Sequence, residues 1–187
     1  MKPRGLIVAV VALYLLFAAG CRSEKKTVEN AIALVNKVSS RTITLFFESP
    51  EGLVPEQRTL PLPESDAAAL SLVARELLKG SANASIPRPL PEDSVIRAAY
   101  LLPAGLAVVD VGGPTLDSGW NTGSHGELIA VYSLVQTVVS NFPSVQRVRI
   151  VVNGQPAQTL AGHIEIDRSL RPLPYLLRPG TVAGGAR

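Results

Sequence analysis

The sequence predicts an α+β fold in which a mixed β-sheet carries two main α-helices packed on one face. Three features of the 187 residues predict it: short apolar segments with two-residue alternation, grouped in twos; two longer segments in which apolar residues recur every three or four positions; and Pro, Gly or Asn-Gly turns between them. Strands grouped in twos around two helices bury their apolar faces as a sheet with helices layered on it.

The first strand is predicted over residues 42–47, TITLFF, with Ile43, Leu45 and Phe47 on one face. Ser49, Pro50, Glu51 and Gly52 form a turn into a partner strand over 53–62. From Ser65 or Asp66 to Lys79, the apolar residues Leu70, Val73, Ala74, Leu77 and Leu78 follow helical spacing, and Gly80 lies just past the end. Pro87, Pro89 and Pro91 make residues 81–94 an extended connection. Strands over 95–102 and 106–111 follow, joined through Pro103, Ala104 and Gly105, and residues 112–123 read as loop. The second helix starts at Ser124, where Ser124 and Glu127 fit a capping box. Its stripe is Leu128, Val131, Tyr132, Val135, Val138 and Val139, which places Gln136 outward, and it closes at residues 141–143. A strand over 147–152 leads into Asn153-Gly154, a hairpin signal, with a return strand expected over 157–166. From Arg168 onward, Pro172, Pro174, Pro179 and the closing GTVAGGAR read as a disordered or loosely docked tail.

The N-terminus has a different character. Lys2 and Arg4 precede an apolar core over residues 6–17, followed by Ala18, Ala19, Gly20 and the chain's single cysteine, Cys21. The core is short of the roughly 20 residues that span a bilayer and has the length of a secretory h-region. Small residues before the cysteine resemble the bacterial lipobox, in which diacylglycerol is attached to the thiol and the chain is cut between Gly20 and Cys21. Ala18 departs from the branched aliphatic usual three positions before the cysteine. A retained short anchor and a plain secretory signal are the competing readings. Four segments result: a lipoprotein signal peptide over 1–20, a tether over 21–41 after lipidated Cys21, a folded module over 42–167, and a Pro/Gly-rich tail over 168–187. The membrane is then a partner through the diacylglycerol on Cys21, and the location is extracytoplasmic.

Composition narrows the function. The formal net charge is +3, and a chain starting at Cys21 loses Lys2 and Arg4, leaving 3 − 2 = +1. That near-neutral balance argues against a nucleic-acid binder, whose affinity comes from a clustered basic face. One cysteine forms no internal disulfide, so the fold does not depend on oxidation.

The order TITLFFES, LVPEQRTLPLP, ARELLKGS, LPEDSVIRAAYLLPAGLAVVDVG and GSHGELIAVYSLVQTVVSNFPSVQRVRIVVNGQPAQTLAGHIEID resembles the GerMN domain of sporulation and germination proteins and other bacterial lipoproteins. The resemblance covers about residues 42–167 and is most specific at Glu127, Thr137, Phe142-Pro143, Gly154 and Gly162-His163. It implies an α/β module similar to ring-building domains of envelope complexes, acting by protein association, and carries no catalytic residues. In it, Gly162-His163 closes the module structurally.

His163, Glu165 and Asp167 alternate with Ile164 and Ile166, so a strand would put one imidazole and two carboxylates on one face, against the simpler reading of a solvated face over an apolar underside. No metal or cofactor is expected. Cys21 is taken by the anchor, no Gly-x-Ser-x-Gly elbow occurs, and neither glycine-rich stretch has the spacing of a phosphate loop. Asp110 and Asp117 are a conceivable glycosidase pair, with solvated carboxylates as the simpler reading. Trp120 is either a core plug or an exposed interface anchor, and Val151 marks the sheet surface opposite inward Ile150 as a second interface position. Two function classes follow: a non-enzymatic anchored module that docks an envelope protein or itself, and a lipoprotein that binds or hydrolyses a cell-wall or small-molecule ligand. Dispersed polar residues favour the first.

Overall fold

The computed structural model describes residues 38–181. Strands β1 (Val38–Ser49) and β2 (Gly52–Pro63) form a two-stranded sheet; α1 (Asp66–Leu78) follows, then β3 (Val95–Leu102), β4 (Leu106–Gly112), the short α2 (Pro114–Ser118), α3 (Ser124–Asn141) and β5 (Arg147–Val152). The second sheet has the order β3-β4-β5 and is mixed: β3 runs antiparallel to β4, and β5 parallel to it. The predicted mixed pairing is therefore found in three strands, with the N-terminal hairpin as a separate sheet.

Two-residue alternation fixes which face is covered. Ala107, Val109, Val111, Val148 and Ile150 point inward with Ile43, Leu45, Phe47, Leu70, Val73 and Leu77 in one core. At the centre is α3, whose residues from Ile129 to Val138 are all buried. Val135 has no exposure, as its place in the apolar stripe requires. Gln136, expected to face out, is only 3% exposed and donates from Nε2 to Ser140 Oγ at 3.2 Å. The reason is that α3 is enclosed on more than one side: α1 and β5 pack on it, and β1 is hydrogen-bonded to it.

That last contact is unusual in form. Thr44 N–H donates to Asn141 Oδ1 at 2.9 Å, Asn141 Nδ2 donates to Thr44 O at 2.7 Å, and Phe46 N–H donates to Thr137 Oγ1 at 3.0 Å. Thr137 and Asn141 are one helical turn apart, and Thr44 and Phe46 are one strand repeat apart, so the two side chains meet successive backbone groups on one edge of β1.

Several expectations are corrected. β1 begins at Val38, within the expected tether. Residues 112–123 include α2. The Asn153-Gly154 turn forms, with φ of 51° and 75°, and Val152 and Gln155 exchange hydrogen bonds across it. The expected return strand over 157–166 does not follow, because Pro156 has no N–H to continue the ladder. The segment after Arg168 is docked: Leu170 bridges Val148 and Leu177 bridges Leu53, and both leucines are buried. Its prolines signalled irregular backbone correctly, while its leucines supply the apolar area that holds it.

Candidate functional site

Cys21 and Gly20, the expected lipidation and cleavage positions, lie outside the described residues. Among those described, no helix is long and apolar enough to cross a membrane.

Glu127 departs most from its expected role. Gly123, not Ser124, precedes the first turn of α3, and no side chain caps it. The Glu127 carboxylate has no exposure and accepts four hydrogen bonds from another segment: Leu160 N–H at 2.7 Å and Ala161 N–H at 2.8 Å on Oε1, His163 N–H at 2.7 Å and His163 Nδ1 at 3.1 Å on Oε2. A buried carboxylate is tolerated when its lone pairs are filled in this way. Glu127 therefore fastens residues 160–163 to α3.

Of the candidate triad, His163 faces Glu127 and Glu165 pairs with Arg168 at 3.2 Å; the segment is not a strand, but His163, Glu165 and Asp167 are all exposed while Ile164 is half-buried and Ile166 buried between them, a solvated face over an apolar underside. Among the described residues no group of His, Cys, Asp and Glu is placed to hold a metal. Asp110 and Asp117 do converge, but on the Asn153-Gly154 turn: Asp110 Oδ1 accepts Gly154 N–H at 2.9 Å, and Asp117 accepts from Asn153 Nδ2. They brace a turn. A further charged cluster ties the hairpin to α1, where Arg58 binds Glu56 at 2.6 Å and Glu76 at 2.9 Å and lies over the Phe47 ring at 5.7 Å. Burial alone would raise both carboxyls. Hydrogen bonds from Ser81 and Arg58 on Glu56, and from Lys79 and Arg58 on Glu76, outweigh it and hold both below the ordinary carboxylate range.

The helix-free face of the β3-β4-β5 sheet is different in kind. Cα partners point the same way, so the register puts Ala98, Asp110 and Val151 in one row, Tyr100, Val108 and Arg149 in the next, and Leu102, Leu106 and Arg147 in the third. Tyr100, Leu102 and Val95 are 56%, 46% and 50% exposed, which makes β3 the richest source of exposed large apolar side chains among the described residues. Sequence reading passed over them because alternation alone cannot say which strand lies at an edge. Val151 is half-buried on this face beside Asp110. Trp120 is half-buried and packs against the core. A groove of about 750 Å³ lies elsewhere, lined by Glu48, Pro50, Ile86, His125, Ile129 and Arg178 among others, with His125 Nε2 2.8 Å from Glu48 Oε1.

The comparisons agree with this architecture. The Germane family, described as sporulation and spore germination, matches residues 44–158. A solved structure from Clostridium perfringens, described as a candidate lipoprotein, superposes with a TM-score of 0.51 at 18% identity, covering 71% of this chain and 88% of that one. The tandem GerMN domains of the sporulation protein GerM from Bacillus subtilis superpose with a TM-score of 0.52 at 21% identity, over 70% of this chain and 46% of that one, so the chain spans about half the tandem. No curated protein matches the chain. With one GerMN-type fold in the structure and a family match across most of the described residues, the chain belongs to the Germane family.

Proposed function

We propose that the chain is a non-enzymatic envelope lipoprotein, held to the bacterial membrane by diacylglycerol on Cys21 after residues 1–20 are removed, whose Germane module acts by protein-protein association in a cell-envelope assembly or one of the sporulation or germination type. The observation that carries the association is the helix-free sheet face, with Tyr100, Leu102 and Val95 exposed along β3. Exposed apolar side chains gathered on one face mark an interaction surface where isolated ones do not, and an aromatic such as Tyr100 is among the residue types enriched at interfaces. The groups that would serve catalysis are occupied otherwise: Glu127, His163, Asp110 and Asp117 all fasten loops.

Two experiments test this reading. Cys21→Ser removes the acylated thiol, so metabolic labelling with a fatty-acid analogue is expected to mark the wild type and spare the variant; equal labelling would refute the anchor. Tyr100→Glu places a charge where contact is proposed, and crosslinking in intact cells is expected to lose the captured partner while the unfolding midpoint stays unchanged. Tyr100 is preferable to Val151 for this purpose, since a glutamate at 151 would lie beside Asp110 and destabilise the sheet itself. Replacing Glu165 and Asp167 together by Ala is expected to leave complementation of a deletion strain intact, and its loss in a folded variant would argue for a chemical role.

The ligand-binding alternative rests on the groove at His125 and Glu48. Loss of complementation by folded His125→Ala, with capture of the partner retained, would favour it.

A further inference from the structure

We propose that β3 pairs antiparallel with β3 of a second copy, about a two-fold axis at Tyr100, joining two three-stranded sheets into one of six strands. The proposal rests on the association reading above and names the partner.

It starts from the disposition of strand edges. A sheet edge carries a row of backbone N–H and C=O groups that pair with another strand unless something covers them. The free edge of β1 is met by Thr137 and Asn141. Leu53 of β2 is bridged by Leu177, and its carbonyl accepts Arg178 N–H at 3.0 Å. Val148 of β5 exchanges hydrogen bonds with Leu170 at 2.8 and 2.7 Å. On β3, Arg75 donates from Nε and Nη2 to Ile96 O at 3.4 and 3.3 Å, which occupies the first part of the strand. Among the described residues, nothing outside β4 pairs with the backbone of residues 98–102. This segment, AAYLL, has no charge, Gly or Pro to blunt it.

The sequence of that segment matches itself when reversed. With Tyr100 opposite Tyr100 of the second copy, Ala98 lies opposite Leu102 on the helix-free face, and Ala99 lies opposite Leu101 on the other. Each small residue meets a large one, and each pair joins residues on the same face, as antiparallel pairing requires. The same register ends where the chain dictates. Arg97, at the β3 irregularity, falls opposite Pro103, which has no N–H to offer. The two Arg97 side chains then lie six residues apart along the strand, about 20 Å at 3.4 Å per residue, and each has its own Asp110 carboxylate at 3.7 Å. No like-charge contact opposes the pairing.

Five paired residues form a small interface, below the roughly 1,200 Å² of a stable soluble complex, so the pairing belongs to chains concentrated on a membrane surface. The test uses the full chain in membranes under mild oxidation. Antiparallel partners have Cα atoms about 4.5 or 5.5 Å apart, within disulfide reach. Tyr100→Cys is expected to give a reducible dimer. Ala98→Cys and Leu102→Cys are expected to crosslink when coexpressed and to stay monomeric when expressed singly. Leu72→Cys, exposed on α1, and the unsubstituted chain are expected to give no disulfide-linked dimer; in the coexpressed Ala98→Cys and Leu102→Cys chains, a further Tyr100→Lys is expected to lose the crosslink that a further Tyr100→Phe retains. No dimer from Tyr100→Cys, equal dimer from Leu72→Cys, or Ala98→Cys crosslinking alone as well as mixed would each overturn the proposal. If it fails while Tyr100→Glu still abolishes capture of another envelope protein, the second copy is the wrong partner and the association reading stands. If Tyr100→Glu changes nothing, the association reading itself falls.

Discussion

Glu127→Ala is expected to destabilise the protein by roughly 3–5 kcal/mol, read from urea unfolding at an unchanged m value. The variant removes a carboxylate with no exposure and strands the N–H groups of Leu160, Ala161 and His163, each of which it holds at 2.8 Å or less. A buried donor without a partner costs about 1–3 kcal/mol, and three of them on one loop leave that loop little reason to stay docked. Glu127→Gln is the informative companion. It keeps the shape but replaces one acceptor oxygen with an NH₂ group that faces donors, so a loss of about half is expected. A Glu127→Ala protein within 1 kcal/mol of wild type would show that residues 160–163 are held by other means.

Val135→Asp is expected to abolish the folded state. Its side chain has no exposure and lies mid-helix in the core, and an unpaired carboxylate there costs on the order of 4 kcal/mol or more, a large part of the 5–15 kcal/mol that keeps a domain folded. Gln136→Asp is also expected to cost stability, about 2 kcal/mol, because Gln136 is enclosed as well and loses its bond to Ser140. Leu72→Asp, on the exposed side of α1, is the control expected to change little. Thermal unfolding monitored by circular dichroism separates the three, and equal melting of Val135→Asp and Leu72→Asp would mean the core is misassigned.

These variants also mark where the sequence was readable. Helix α1 is amphipathic and met its predicted bounds, with one apolar face and one wet face, so periodicity alone located it. Helix α3 was placed correctly but its surroundings were not. After Glu127 it contains no charged residue, a sign of a helix covered all round, and a stripe was read where a cylinder was meant. Glu127 followed Ser124 at the capping-box interval, and local spacing could not reveal donors 33 to 36 positions further on. The return strand failed on Pro156, which was visible in the sequence. The docking of Leu170 and Leu177 was not, because an isolated leucine among prolines carries no period. At the candidate surface, the alternation that identified β3 as a strand was sufficient, while its position at the sheet edge depended on strand order, a property of the whole chain.

The bonds from Thr137 and Asn141 to β1 have a consequence for the order in which the protein is made. They join positions 91 and 97 residues apart, so the first strand waits for the third helix before its backbone is fully engaged. During synthesis at about 5–20 residues per second, that interval is several seconds in which the N-terminal hairpin lacks its final partner. Contacts of such long sequence separation slow folding, because a large loop must close before they contribute.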